Sequence, residues 1–285
     1  MSVIWLNGEW LDAARWHPSA TDRGWTHGLG LFETMRADDG RLAFADRHLA
    51  RLAAGCHVLG WLVPWCDPAE ITTIATALLA RNGLTAGPAR VRLAVSGGSG
   101  PLADLTAGAD RAVWLSAAPL APAPANLAVT LSPWPRNERS ALAGLKCASY
   151  AENIVALDHA RRAGCDEALF FNTSGLLCEA ATANVFLVRD GELLTPDLAS
   201  GCLPGITRSV VIEIATHLAI SCRETSLTAE DLASADGLFL TSTLRGPVPV
   251  TRLESRALAV PAVLASLLAA WHTVAADSIR QPSHR

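Results

Sequence analysis

Residues 144–150 read GLKCASY and contain the only lysine of the chain, Lys146, and its only tyrosine, Tyr150. A lone lysine in an arginine-rich chain suggests a role that a guanidinium cannot fill, because a primary amine can deprotonate near neutral pH and condense with a carbonyl. The preceding residues 141–145, ALAGL, are apolar and would favour the neutral amine by desolvating it. A surface lysine left over in an arginine-biased composition fits these residues equally well.

The sequence downstream of Lys146 decides between the two interpretations. Residues 165–188, CDEALFFNTSGLLCEAATANVFLV, read as two apolar strands around a Ser-Gly turn, and Glu179 interrupts the start of the second strand. An acid in such surroundings is costly unless it meets a cation. Farther on, Pro204-Gly205 leads into a helix for which Thr207 is the expected cap, and a helix start of this kind binds anions. An amine nucleophile, a buried acid and an anion site match the requirements of pyridoxal phosphate.

These segments also resemble a known family. Lys146, EAATANVF at 179–186 and LPGITR at 203–208 are similar to the class IV aminotransferases, the fold-type IV pyridoxal-phosphate enzymes. The opening DRGxxxGxGxFE, common in that family, is present at residues 22–33. The resemblance implies an α+β (α/β) fold of two domains, with a small N-terminal α/β domain and a larger C-terminal pseudo-barrel domain. It also implies a homodimer.

The domain boundary is expected at PLAPAPAN, residues 119–126, where three prolines disfavour both helix and sheet pairing. We therefore predict a small N-terminal domain over residues 1–118 and an interdomain linker over 119–126. A large C-terminal domain over 127–285 would then carry Lys146.

The resemblance assigns site residues one by one. Lys146 would form the Schiff base and move the proton at the substrate α-carbon, Glu179 would protonate the ring nitrogen, and Arg51 of the RHLARL run would bind the phosphate. Further cofactor-binding residues would be Tyr150 at the ring hydroxyl, Asn184 behind the ring, Leu203, Ile206 and Thr207 at the helix start, and Ser242 and Thr243 in the segment TSTLRG. Tyr150 stands four residues after the lysine, where relatives have five. His27 and Phe32 are predicted to form the substrate wall.

The expected reaction is amino transfer between an amino acid and a 2-keto acid, the broader activity of the family. An alternative is a 4-amino-4-deoxychorismate lyase that releases pyruvate and 4-aminobenzoate, since TSTLRG resembles the NSLRG segment of the lyases. A relative that binds the cofactor without catalysis is the third and weakest alternative. Ser96-Gly97-Gly98 stands where some relatives have an Arg-Gly pair for substrate carboxylates, which argues against D-amino-acid specificity.

Composition excludes several other classes. A net charge of -4 and a pI near 6.1 provide no basic surface for nucleic acid. The seven scattered cysteines form no CxxC pair and no Cys/His cluster, so we expect reduced thiols, no metal site and a cytoplasmic protein that binds small molecules. No signal peptide is expected from the first ten residues. The alanine-rich run 257–276 is broken by Pro261, Ser266 and His272 and predicts a packed helix rather than a membrane span.

Overall fold

The computed structural model describes residues 2–65, 67–108 and 110–280, which form two compact units. Unit 1 contains the chain up to Pro122, the segment Leu145–Tyr150 and the end of the chain from Ala275. Unit 2 contains Ala123–Gly144 and Ala151–Val274. The division after Pro122 falls inside the predicted linker. Lys146 groups with unit 1, whereas the sequence prediction assigned it to the C-terminal domain, because its backbone pairs with a strand of unit 1.

Unit 1 is built on a six-stranded antiparallel sheet with the strand order β2-β1-β6-β5-β3-β4. Its strands are β1 (Val3–Leu6), β2 (Glu9–Asp12), β3 (Gly30–Asp38), β4 (Arg41–Leu42), β5 (Pro88–Ser96) and β6 (Val113–Pro119). Its helices are α1 (Arg23–Thr26), α2 (Ala45–Val58) and α3 (Pro68–Arg81). Asn7 and Gly8, a residue pair typical of tight hairpins, form the turn between β1 and β2, and both have the positive φ angles, 46° and 97°, that such a turn requires.

Unit 2 contains a mixed sheet with the strand order β12-β11-β10-β13-β14-β7-β8-β9, and β15 pairs with β14. Its strands are β7 (Leu127–Leu131), β8 (Glu167–Phe171), β9 (Leu177–Ala180), β10 (Asn184–Arg189), β11 (Glu192–Pro196), β12 (Cys222–Thr225), β13 (Gly237–Ser242), β14 (Gly246–Leu253) and β15 (Arg256–Ala257). Its helices are α4 (Ala151–Arg162), α5 (Ile206–His217) and α6 (Ala229–Ser234), and the division between the units falls within α7 (Val263–Arg280). Mixed helix and strand content confirms the predicted α+β class.

The second strand of the predicted pair after Lys146 is split in two. The chain turns between Ala180 and Ala183, whose backbone N–H and C=O lie 2.7 Å apart, so that β9 ends and β10 begins. Glu179 therefore belongs to β9 and Asn184 opens β10.

Two expectations about the remaining chain concern its thiols and its apolar run. The six cysteines in the described part of the chain are free thiols, and Cys66 lies outside the described residues. The apolar run near the end forms α7, and no helix within residues 2–280 that the structure describes has the length and hydropathy needed to cross a bilayer.

Candidate active site

The segment that carries Lys146 pairs with the start of strand β3 in the unit 1 sheet. The carbonyl of Lys146 accepts a hydrogen bond from the backbone N–H of Phe32 at 3.0 Å, and the N–H of Ala148 donates to the carbonyl of Gly30 at 2.7 Å. A Cβ atom at Gly30 would lie 3.2 Å from the Cβ of Ala148 and 3.0 Å from the carbonyl of Val95. Gly30, the third glycine of the opening motif, therefore permits this close backbone approach.

This pairing brings three predicted site residues together. Nζ of Lys146 lies 4.6 Å from the ring centroid of Phe32 and 5.9 Å from that of Tyr150. The two rings meet edge to face at 5.5 Å. His27, by contrast, is exposed at the end of α1, where its Nδ1 lies 2.7 Å from Oγ1 of Thr26. The contact with the lysine amine favours Phe32 over His27 as a group near the reacting atoms.

Sequence reasoning missed Arg92 as a site residue. Its guanidinium carbon lies 3.8 Å from the ring centroid of Phe32, and β3 and β5 pair so that both side chains share one face of the sheet. Arg92 is half-buried, and burial, followed by the charge of Arg90, lowers its pKa. No carboxylate of the described residues pairs with it. The alternation of Arg90 and Arg92 was visible in the sequence, but the register with β3 decides which of them lies beside Phe32.

Arg51, the predicted phosphate ligand, is held by a buried carboxylate. Its Nε and Nη2 each donate to Glu33 at 2.7 Å, and Nδ1 of His48 lies 2.7 Å from the same carboxylate. Burial raises the pKa of Glu33, but the hydrogen bonds and charges of His48 and Arg51 outweigh it and bring the value down to about 2. An ionised Glu33 thus orients the Arg51 guanidinium, which the sequence did not predict. The phosphate role of Arg51 stays a prediction.

In unit 2, Glu179 has the cation that its apolar surroundings require. Its Oε1 lies 3.6 Å from Nη2 of Arg136, and its Oε2 accepts a hydrogen bond of 2.9 Å from the backbone N–H of Leu203. The guanidinium of Arg136 stacks on Phe170 at 4.2 Å and donates to Glu152 at 2.6 Å. These contacts fix the orientation of the Glu179 carboxylate.

The start of α5 differs from the sequence prediction in one respect. Gly205, and not Thr207, is the N-cap residue, and no side chain caps the helix. Asn184 donates through Nδ2 to the carbonyl of Leu203 at 2.8 Å, and a Cβ atom at Gly205 would overlap Oδ1 of Asn184. Because the loop packs so closely on Asn184, only glycine fits at the N-cap, and Thr207 is buried in the first turn. Among the residues that the structure describes, no side chain accepts a hydrogen bond from the first backbone N–H groups of α5, so these groups can bind an anion.

The Ser242–Gly246 turn, which joins β13 to β14, carries Ser242 and Thr243. The preceding residue, Thr241, pairs with Asn184 across β10 and β13. Its Oγ1 is buried and has no hydrogen-bond partner in the described part of the protein. A buried hydroxyl without a partner next to strand β10 and an uncapped helix start suit a polar group such as a phosphate. The residues present thus fit pyridoxal phosphate.

The lysine amine beside aromatic rings in unit 1 is a group that pyridoxal-phosphate enzymes use, and so are the largely buried acid and the uncapped helix start in unit 2. The family model for class IV amino-transferases matches residues 30–253, a span that includes Lys146, Glu179 and α5. The chain belongs to the class IV aminotransferase family and is a pyridoxal-phosphate-dependent aminotransferase, as the sequence predicted.

Individual relatives agree with this assignment. A putative branched-chain-amino-acid aminotransferase of Methanocaldococcus jannaschii is 32% identical over 89% of this chain and 88% of its own length. The branched-chain aminotransferase of Thermoproteus uzoniensis, solved with norvaline, superimposes with a TM-score of 0.87 at 27% identity, covering 96% of this chain and 95% of that one. A putative 4-amino-4-deoxychorismate lyase of Legionella pneumophila superimposes with a TM-score of 0.82 at 27% identity, covering 92% and 98%. This architecture is therefore shared by solved branched-chain aminotransferases and by a protein named as a putative 4-amino-4-deoxychorismate lyase.

Proposed function

We propose that the protein transfers the amino group of a branched-chain amino acid to a 2-keto acid. The observation that carries this proposal is the cluster on Phe32, where the Lys146 amine lies 4.6 Å and the Arg92 guanidinium 3.8 Å from one aromatic ring. A reactive amine, an apolar surface and a cation without a carboxylate partner among the described residues are the groups that an apolar amino acid needs. The name of the Methanocaldococcus jannaschii relative supports the same substrate class.

Each group has a defined task in this proposal. Bound pyridoxal phosphate supplies an electron sink for the negative charge that develops at the substrate α-carbon. Lys146 holds the cofactor aldehyde and, once displaced by the substrate amine, moves the α-proton as base and then acid. Glu179, oriented by Leu203 and Arg136, holds a proton at the ring nitrogen.

The remaining predicted residues bind the cofactor and the substrate. The phosphate is bound by Arg51, by the backbone at Ile206 and Thr207, and by Ser242 and Thr243. Tyr150 contacts the ring hydroxyl, while Asn184 holds the Leu203 backbone in place. Phe32 and His27 face the substrate side chain, and Arg92 binds its carboxylate through charge-assisted hydrogen bonds.

We also propose that the enzyme is a cytoplasmic homodimer. Support for the compartment comes from the free thiols of six described cysteines, which suit a reducing environment. Support for the dimer comes from the family alone. Equilibrium sedimentation of the purified protein tests the dimer, and a monomer at micromolar concentration would contradict it.

The reaction is tested with the full-length enzyme and a panel of amino donors. We expect L-valine, L-leucine and L-isoleucine to bleach the yellow cofactor band and to yield the corresponding keto acids. K146A should lose the yellow band and the adduct that borohydride fixes. A K146A protein that retains both, or a wild-type enzyme that leaves every donor unreacted, would contradict the proposal.

A lyase is the second candidate, supported by the segment TSTLRG and by the superposition on the Legionella pneumophila protein. The same enzyme preparation distinguishes the two reactions. If 4-aminobenzoate forms from aminodeoxychorismate while no amino donor bleaches the cofactor band, the lyase is the correct assignment.

A further inference from the structure

A largely buried ion pair joins the Ser242–Gly246 turn to strand β8. Glu167, the first residue of β8, is 1% exposed, and its Oε1 lies 2.5 Å from Nη2 of Arg245 in that turn. A carboxylate at this depth is stable only when a cation and further donors compensate for its lost hydration. Arg245 supplies that cation.

The same carboxylate also holds Thr182. The backbone N–H of Thr182 donates to Oε2 of Glu167 at 3.1 Å, and the Thr182 hydroxyl donates to Oε1. Arg245 in turn donates to the Thr182 hydroxyl at 3.0 Å. Thr182 lies between Glu179 at the end of β9 and Asn184 at the start of β10. Glu167 thus connects the turn to the segment that sets the spacing of these two residues.

Two further contacts constrain the turn. Nε of Arg245 donates to Oγ of Ser242 at 3.2 Å, which closes the turn on itself. Gly246 has a φ of 70°, and a Cβ atom there would lie 2.5 Å from Nε1 of Trp271. Thr243 lies between Ser242 and Arg245, whose side chains are hydrogen-bonded to each other.

We infer that Glu167 is a positioning residue for the cofactor phosphate. Through Arg245 and Thr182 it fixes Ser242 and Thr243 relative to Asn184, without contacting the cofactor itself. The inference depends on the proposed function, because that function assigns the phosphate to Ser242 and Thr243. Its specific consequence is that Glu167 strengthens the binding of pyridoxal phosphate but not that of pyridoxal, which lacks the phosphate.

The test measures the affinity of the full-length, cofactor-free enzyme for both aldehydes by the yellow absorption. E167Q should weaken pyridoxal phosphate binding about tenfold or more, since charge-assisted hydrogen bonds are lost, and should change pyridoxal binding less than about twofold. E192Q is the matched control, because Glu192 forms a carboxylate–guanidinium pair with Arg223 in unit 2 that does not touch the turn. It should leave both affinities unchanged.

A second pair of variants separates positioning from general stability. E167M/R245M replaces the buried pair by apolar side chains that can keep the fold. E167M/R245M should show the same selective loss of pyridoxal phosphate affinity as E167Q. E167D, which keeps the carboxylate, should bind pyridoxal phosphate more tightly than E167Q does. Equal losses for the two aldehydes, or an unchanged affinity for pyridoxal phosphate, would overturn the inference while leaving the proposed function intact. A wild-type enzyme that turns yellow with neither aldehyde would contradict both.

Discussion

The backbone N–H of Leu203 donates to Oε2 of Glu179 at 2.9 Å, two residues before the N-cap of α5. The carbonyl of the same residue accepts from Asn184 at 2.8 Å. One peptide segment therefore connects the acid assigned to the ring nitrogen with the helix start assigned to the phosphate. Under the proposed function, this loop would set the spacing between the residues assigned to the ring nitrogen and those assigned to the phosphate.

Gly205 is the position where this loop tolerates least change. In G205A, the new methyl group would overlap Oδ1 of Asn184, and we expect overpacking to lower the free energy of unfolding by about 1–3 kcal/mol. Affinity for pyridoxal phosphate should fall as well, because the helix start must move. Urea unfolding and cofactor titration measure the two effects. N184A/G205A removes the overlap and should recover part of the stability. If G205A equals the wild type in both measurements, the loop accommodates a methyl group at residue 205 and the close contact with Asn184 is not needed.

Glu33 should make stability depend on pH in the acid range. Its pKa in the folded protein, about 2, lies below the ordinary value of 4.5. Its contribution is therefore present above pH 4.5 and is lost as the pH falls toward 2, with a full size on the order of 3 kcal/mol. The stability difference between wild type and E33Q should be large at pH 7 and should shrink between pH 4.5 and 2. Urea midpoints at several pH values measure it.

The surface pair of Arg36 and Asp38 provides the control for this experiment, since both side chains are about a third exposed. D38N should change stability little at any pH. A difference between wild type and E33Q that does not vary with pH would show that Glu33 acts through packing alone.

Arg92 should act on the substrate and not on the cofactor. R92Q is expected to raise the KM for amino donors about tenfold to a hundredfold, the cost of losing charge-assisted hydrogen bonds to a carboxylate. Affinity for pyridoxal phosphate should stay at the wild-type value. R90Q, which changes an exposed residue of the same strand, is the matched control and should leave the KM unchanged. Steady-state kinetics measure the KM values. Equal KM values for R92Q and R90Q would show that Arg92 does not bind the substrate.

Arg23 should hold the loop of residues 97–108 in unit 1. Its buried guanidinium donates to the carbonyls of five loop residues, Gly97, Gly98, Pro101, Asp104 and Ala107. A lysine ammonium has only three donors, so R23K should cost about 3 kcal/mol or more and expose the loop to proteases. R41K, on the exposed side of β4, is the control. Cleavage of the loop by thermolysin measures this exposure. If thermolysin cuts the loop at the same rate in R23K and R41K, Arg23 does not hold the loop.

Local sequence was sufficient for much of this protein. The Asn7-Gly8 hairpin, helix α3 from Pro68 to Arg81 and the capping box of Thr228 with Asp231 follow from short-range backbone chemistry and side-chain periodicity. The single lysine and the family motifs were sufficient to predict the cofactor and the class of enzyme. These features depend on residue types at short spacing, which the chain displays directly.

Tertiary structure decided which side chains meet across long stretches of sequence. The pairing of residues 146–148 with β3 brings Lys146 to Phe32, and the register of β5 against β3 adds Arg92 to that cluster. The tight contact of Gly205 with Asn184, which excludes Thr207 as the cap, likewise depends on how a loop packs against a strand end. Sheet register and close packing arise from the whole set of interacting strands, so no local pattern encodes them.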